Sequence, residues 1–412
     1  MSYIERRRNL FYATLVIPPD VRERLGKFKF IQSLGTPDKR KAEALAAPVV
    51  AKWKAIIRRE RGEGDALVNE ALKWREVLAE IPAENDAGLD ATTDAIVAKA
   101  ERIEAQKGYA HAKRFADIAF GDATPSDAFY AEWSAQLKLS EKTMDQMRKD
   151  VTALLAHFPT LQEISHQSVK RWLDKLSKEG TSPISQARIA SCCRNYWGYL
   201  QHRDAVPSDS EPFSRLAKGG SKRKAAGGSW EPLAAKEVVK LWKAAREGND
   251  AVLADLVQLG AYSGARIEEL CALKVTHVSV SSFRIVDAKT SAGIREVPIH
   301  SAIAPLVKRL KKASTDGYLL SGLTFNKYGD RSNAIGKRFG RLKSGLGFGP
   351  RHVFHSIRKT LVTLLENKGV SENLAADIVG HEKPRITYGL YSGGATLAVK
   401  AKALELVAYP VK

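Results

Sequence analysis

Residues 218–229 read Lys-Gly-Gly-Ser-Lys-Arg-Lys-Ala-Ala-Gly-Gly-Ser and hold no apolar side chain larger than alanine. A stretch of this kind has nothing to bury and behaves as a flexible linker. The chain must therefore fold as at least two bodies. Pro207 and Pro212 close the first, and the last starts near Trp230. A length of 412 residues fits two or three domains of roughly 100–200 residues each. With 44% hydrophobic residues each can bury a core, which excludes wholesale disorder. No apolar run approaches the ~20 residues needed to span a bilayer, and the N-terminus lacks the apolar centre of a signal peptide. Three cysteines make no disulfide framework, and none has metal-ligand spacing. A soluble, cytoplasmic protein is expected.

The formal net charge is +20, which suggests a polyanionic partner without naming it. The excess is uneven. Residues 1–62 carry 15 Lys/Arg against 6 Asp/Glu, a net of +9, and residues 63–110 carry 5 against 11, a net of −6. The first segment reads as a basic module and the second as an acidic helical spacer, extending over 63–120. In the module, Leu10–Ile17 and Phe28–Leu34 have strand character. A helix follows from Asp38, with a kink expected at Pro48 and Ala42, Leu45, Val49, Trp53 and Ile56 on one face. A small sheet and helix with this charge, led by Arg6, Arg7 and Arg8, could lie in a DNA groove; a solvated basic face is the plain alternative.

Residues 121–213 read as a helical domain. Ser140 offers an N-cap to a helix bearing Met144, Met147, Val151, Leu154 and Leu155. Val169, Leu173 and Leu176 mark a second helix, stopped by Gly180, and Ile184 to Leu200 a third. The run Ser191–Trp197 is aromatic and basic but reads as a packed face, and the adjacent Cys192 and Cys193 as buried small residues. In the 214–230 linker, Lys222, Arg223 and Lys224 would suit a phosphate backbone crossing it. The fold class expected is mainly α with small β elements, an α+β chain of three domains.

The last domain, 231–412, holds polar residues in unusual settings. Arg266 follows a Ser-Gly break between two apolar helices, and Glu269, three residues on, can orient it. Lys289 lies where a strand would meet the turn Thr290–Gly293 of a hairpin, whose return strand carries Arg295, a candidate DNA contact. His355 and Arg358 share one helix face by their i, i+3 spacing. His381 follows Gly380 at a helix stop. Tyr388 and Tyr391 stand in a Gly/Ser-rich stretch. Taken singly, each has a bland reading: a surface ion pair, a solvated turn lysine, an incidental histidine, a packing tyrosine. A phenol with pKa ≈ 10 attacks nothing at neutral pH unless cations and a base surround it.

In order, these residues carry a resemblance. The last domain resembles the tyrosine recombinases, or phage-type integrases: Gly264-Ala265-Arg266-Ile267-Glu268-Glu269-Leu270 stands for the Gly-x-Arg-x-x-Glu-Leu motif, Lys289 for the hairpin lysine with Arg295-Glu296-Val297-Pro298 after it, His355 and Arg358 for the His-x-x-Arg box, and Gly380-His381 for the Gly-His box. The nucleophile falls on Tyr391. It stands one residue further from His381 than in the commonest family pattern, which fits a variant seen in some phage integrases; Tyr388 is the lesser alternative. By length and layout 121–213 is similar to the family's core-binding domain, and 1–62 to its arm-binding module.

The resemblance implies the chemistry. Arg266 and Arg358 would clamp the non-bridging oxygens of a scissile phosphate. Tyr391 would attack phosphorus to leave a 3′-phosphotyrosyl link, Lys289 would protonate the leaving 5′-oxygen, His355 would help take the phenolic proton, and His381 would hydrogen-bond the phosphate. No metal or other cofactor is implied. The partners implied are double-stranded attachment-site DNA, a homotetramer on paired sites passing through a Holliday junction, and an accessory DNA-bending or excision-directing protein; no membrane is involved. The tail after Tyr391 (Leu397, Ala401, Leu404, Val407) would dock on a neighbouring subunit, or pack on its own domain. The alternatives are a type IB topoisomerase, against which the basic module and separate helical domain argue, and a DNA-binding protein without catalysis, which would have no use for a nucleophile.

Overall fold

The computed structural model describes residues 3–7, 9–60, 65–216, 230–287, 291–383 and 392–411. The chain divides into two compact units, Met1–Gly220 and Ser221–Lys412. Arg8 and the linker cations Lys222, Arg223 and Lys224 lie outside the described residues. The elements are mostly helical with two small antiparallel sheets, as the sequence predicts.

The first unit opens on a three-stranded sheet, β1 (Ile4–Arg7), β2 (Leu10–Val16) and β3 (Lys29–Ser33), with β2 central. β1 pairs from Ile4↔Ala13 to Arg7↔Leu10, and β3 from Val16↔Lys29 to Tyr12↔Ser33. After β2, Pro18-Pro19 starts a short helix, α1 (Pro19–Leu25), with proline at its first turn, where its missing N–H costs nothing. The long helix α2 (Lys39–Glu60) runs through Pro48. Its buried stripe is Ala42, Ala46, Val50, Trp53 and Ile57, while Leu45 is 41% exposed. The expected face is thus rotated: small alanines, not the bulkier Leu45, face the sheet, and Trp53 stacks on Phe30 at 5.4 Å. Arg6 and Arg7 are exposed, and Arg7 pairs with Glu5 on the same strand.

The acidic segment is more than a spacer. Its helices α3 (Ala66–Glu80), α4 (Asp86–Lys107) and α5 (Tyr109–Phe120) bury a core of their own, with Leu67, Ala71, Ile96, Ile103, Phe115 and Ile118 inside. After it come α6 (Tyr130–Gln136), α7 (Glu141–His157), α8 (His166–Lys178) and α9 (Pro183–His202). Ser140, Ser165 and Ser182 cap the last three by accepting backbone N–H bonds. Cys192, Cys193, Tyr196 and Trp197 are buried, and the Tyr196 hydroxyl donates to the Ser126 carbonyl at 2.7 Å. The aromatic-basic run is therefore a packed face.

The second unit comprises α10 (Ala235–Glu247), α11 (Ala251–Ser263), α12 (Ile267–Cys271), the hairpin β4 (Ser282–Ile285) and β5 (Arg295–Pro298), α13 (Ala304–Ala313), α14 (Ser332–Gly345), α15 (Phe354–Asn367), α16 (Glu372–Val379) and α17 (Leu397–Leu404). One core joins them, including Leu256, Leu259, Phe283, Ile357, Leu361, Ile378 and Leu404. The tail belongs to this core. Val407 and Tyr409 are buried in it, the Tyr409 hydroxyl donates to the Ala261 carbonyl at 3.1 Å, and the His300 ring meets the Val407 carbonyl at 3.0 Å. Between the two tail placements weighed from sequence, the structure has the segment on its own domain.

Candidate active site

The α11–α12 junction is shaped by a glycine. Gly264 ends α11 at φ 61°, a left-handed conformation that favours glycine. A Cβ there would stand 2.7 Å from Leu361 and 3.0 Å from Val379, so α15 and α16 pack directly on this turn. Two residues later Arg266 caps α12. Its N–H donates to Glu269 Oε2 at 2.8 Å and its Nη1 to Glu269 Oε1 at 2.6 Å. The i, i+3 spacing thus orients the arginine as expected, and its Nη2 reaches the Gly380 carbonyl at 3.4 Å.

Glu269 also accepts from Arg295 Nη2 at 3.1 Å. Burial raises the Glu269 pKa, but the Arg295 charge and the bonds from Arg266 outweigh it and hold the carboxyl below its ordinary value. Arg295, expected on DNA, is instead a buried strut and the expectation is corrected. It is 9% exposed, and its other two nitrogens donate to the Ile378 carbonyl at 2.9 Å and the Gly293 carbonyl at 2.8 Å. Each of its three nitrogens is thus engaged within the protein. The signal lay in the strand alternation: in β5, Arg295 and Val297 face the core while Glu296 faces out. The hairpin is present with the register Ile285↔Arg295 to Ser282↔Pro298. Its first strand ends at Ile285, earlier than the sequence suggests, and Lys289 lies outside the described residues.

His355 and Arg358 sit in the opening turns of α15, whose N-terminus follows Val353. Arg358 is 2% exposed. Its Nη1 donates to the Gly264 carbonyl at 2.7 Å. Its Nε and Nη2, both buried, have no hydrogen-bond partner among the described residues. Burial, then the charges of Arg295 and Arg266, lower its pKa, yet a guanidinium stays charged at neutral pH. Half-buried His355 has its pKa lowered by burial, then by Arg358 and Arg266. His381 follows Gly380, the left-handed cap of α16, and its pKa is pushed down to about 4, by burial first and then by Arg358, Arg266, His355 and Arg295. Both imidazoles are therefore neutral at pH 7. Tyr388 and Tyr391 lie outside the described residues.

The structure therefore brings Arg266, Glu269, His355, Arg358 and His381 together, from the α11–α12 turn, the start of α15 and the end of α16. Three arginines and two histidines cluster near one buried carboxylate, Glu269, which accepts hydrogen bonds from Arg266 and Arg295. A desolvated guanidinium with two nitrogens unpartnered among the described residues is complementary to an anion with oxygens placed to accept two N–H bonds. No sequence signal marked Arg295 as a support, beyond that alternation, or Asp377, whose contacts are described below.

A cluster of arginines and neutral histidines on a helical unit would suit a phosphate-like anion. Residues 231–395 match the phage integrase family, residues 127–204 the phage integrase N-terminal SAM-like domain, and residues 3–62 a domain of unknown function, DUF6538. A tyrosine recombinase of Thermosipho africanus is 25% identical over 252 residues, 59% of this chain and 85% of that protein. The tyrosine recombinase XerC of Xanthomonas campestris pv. campestris is 27% identical over 197 residues, 45% of this chain and 58% of that protein. The fold is similar to a lambda integrase dimer bound to a COC′ core site (TM-score 0.50, 16% identity, 95% of this chain and 94% of that one). It is also similar to the Tn1549 transposon integrase in complex with circular intermediate DNA (TM-score 0.50, 18% identity, 68% and 98%). The chain belongs to the tyrosine recombinases of the phage integrase family, and is a site-specific recombinase.

Proposed function

We propose that this recombinase is the integrase of a phage or integrated genomic element, which cuts and rejoins duplex DNA at attachment sites through a 3′-phosphotyrosyl intermediate. The observation that carries the reading is Arg358: a 2%-exposed cation whose Nε and Nη2 have no hydrogen-bond partner among the described residues is costly to keep unless an anion completes it. Arg266, oriented by Glu269, supplies the second clamp. The non-bridging oxygens of a phosphodiester, which gain charge as phosphorus becomes five-coordinate, are the anion of matching size.

In this reading Tyr391 Oη attacks phosphorus, its proton passes toward the neutral His355, and the bond to the 5′-oxygen breaks as Lys289 protonates it. His381 donates to the phosphate. The reverse reaction, with a 5′-hydroxyl from a second duplex as nucleophile, rejoins the strand without ATP because the phosphotyrosyl ester keeps the energy of the broken linkage. The guanidinium pair supplies the positive charge that another enzyme draws from a metal ion. The working assembly is a tetramer on paired sites in the cytoplasm of a bacterial host, with accessory proteins setting direction. The exposed Arg6 and Arg7 of the first module, with Arg8 and the Lys222-Arg223-Lys224 linker, would hold DNA by its backbone.

A plasmid carrying two attachment sites tests this. Recombinant circles are expected in the presence of EDTA. Relaxation of supercoils without recombinants would favour the topoisomerase reading, and binding without either would favour a non-catalytic one.

A further inference from the structure

At the end of α16 one carboxylate holds two distant points of the chain. Asp377 Oδ1 meets Lys383 Nζ at 2.7 Å, and the Lys383 side chain is only 8% exposed. Asp377 Oδ2 accepts the Ala395 backbone N–H at 2.8 Å. Gly394 lets the backbone come this close: at φ 86°, a Cβ on it would stand 3.4 Å from Oδ1. On the far side the chain is fixed at once, since Thr396 caps α17 and Lys400 Nζ donates to the Glu296 carbonyl at 2.6 Å. On the near side, Lys383 is two residues past His381. The chain between 383 and 395 must therefore leave one carboxylate and return to it. That stretch contains Tyr391.

We propose that Asp377 is a positioning residue for strand cleavage, tying Lys383 and Ala395 to one point so that both ends of the Tyr391 segment are fixed against the phosphate clamp. The proposal rests on the reading of Tyr391 as the nucleophile. Its physical basis is the entropy of closure. A segment pinned at both ends samples far fewer positions than one pinned at a single end, and in-line attack requires the phenol oxygen within about 3–3.5 Å of phosphorus. Asp377 forms no part of the chemistry; it acts through the tyrosine's placement. A charged pair serves better than an apolar contact here, because the Ala395 N–H and the Lys383 ammonium would both lose solvation in this semi-buried place without an acceptor.

The test uses the full-length enzyme and a nicked suicide duplex, reading single-turnover covalent trapping, DNA affinity and the thermal midpoint together. Asp377→Ala is expected to slow trapping by about 100-fold, the usual scale for a misplaced reactive group, with affinity close to wild type and only a small fall in the thermal midpoint from the two donors left without an acceptor. Asp377→Asn, which keeps an acceptor for Ala395, and Lys383→Met, which breaks only the ion pair, should each fall in between. A substrate with sulfur in place of the scissile 5′-oxygen needs little acid assistance, so it should restore cleavage to Lys289→Ala and leave Asp377→Ala slow. Wild-type trapping by Asp377→Ala overturns the proposal. So does a loss of affinity and thermal midpoint in step with cleavage, which marks a general structural role, and so does rescue by sulfur, which marks a role in leaving-group protonation. Tyr391→Phe is run in parallel: if it still traps DNA, the nucleophile reading itself falls and takes the proposal with it.

Discussion

Arg358 shows what this centre gives up for its chemistry. Its Nη1 is satisfied by Gly264, but Nε and Nη2 are buried without partners among the described residues. A half-bonded buried cation destabilises the free protein. Replacing it with methionine, which fills the same space without charge, should raise the unfolding free energy by about 1 kcal/mol while abolishing covalent trapping; a destabilised Arg358→Met in urea denaturation would show that the guanidinium supports the fold instead. The histidines make a related prediction. The His381 pKa is about 4 in the fold against about 6.5 unfolded. Between these values the unfolded chain holds the extra proton, so stability falls as pH drops from about 6.5 toward 4. His355 acts in the same direction. Urea midpoints for wild type should fall between pH 7 and pH 5, and His381→Asn should flatten the slope; an unchanged slope would contradict the electrostatics described here. Arg266, Glu269, His355, Arg358 and His381 are legible in sequence as ordered motifs. Asp377 is not, because its meaning depends on Ala395 returning to it across the fold.

At the scale of elements, the turns and caps are legible and the buried faces less so. Ser140 reads as an N-cap and is one. The α2 stripe is misread because hydrophobicity favours Leu45, whereas close approach to the sheet favours Ala42 and Ala46. The acidic 63–120 segment hides its core for a similar reason: a few apolar residues spread over α3, α4 and α5 meet only in three dimensions. Gly264 is the element-level hinge of the site. A Cβ at φ 61° would be strained and would press on Leu361 and Val379. Gly264→Ala should cost about 1–3 kcal/mol of stability and displace Arg266 from Arg358, so that cleavage is lost even at temperatures where the variant remains folded. Cleavage at the wild-type rate by a folded Gly264→Ala would mean that the turn does not set the clamp.

For the whole molecule, the chain divides into two compact units between residues 220 and 221, inside the stretch whose composition reads as a linker. No described helix is long and apolar enough to cross a membrane. The tail is where sequence alone leaves two placements open. Helical spacing at Leu397, Ala401, Leu404 and Val407 fits either a neighbour or the tail's own domain, and only the contacts to Ala261, His300 and Glu296 decide it. Because Leu404 is fully buried in that domain's core, Leu404→Ala should cost about 2–5 kcal/mol. The loss should be the same at low and high protein concentration. A loss that vanishes on dilution would place the tail's main contact on another subunit.

The net charge of +20 accounts for affinity to a polyanion but not for breaking one. In the proposed mechanism that task falls to Tyr391, with Arg266 and Arg358 holding the phosphate. The direct measurement is covalent trapping of a suicide duplex, nicked beside the crossover phosphate, by wild type, Tyr391→Phe and Tyr388→Phe in the presence of EDTA. Wild type and Tyr388→Phe should form the protein–DNA adduct, and Tyr391→Phe should bind the duplex without forming it. An adduct with Tyr391→Phe, or cleavage that stops when divalent metal is removed, would contradict the mechanism.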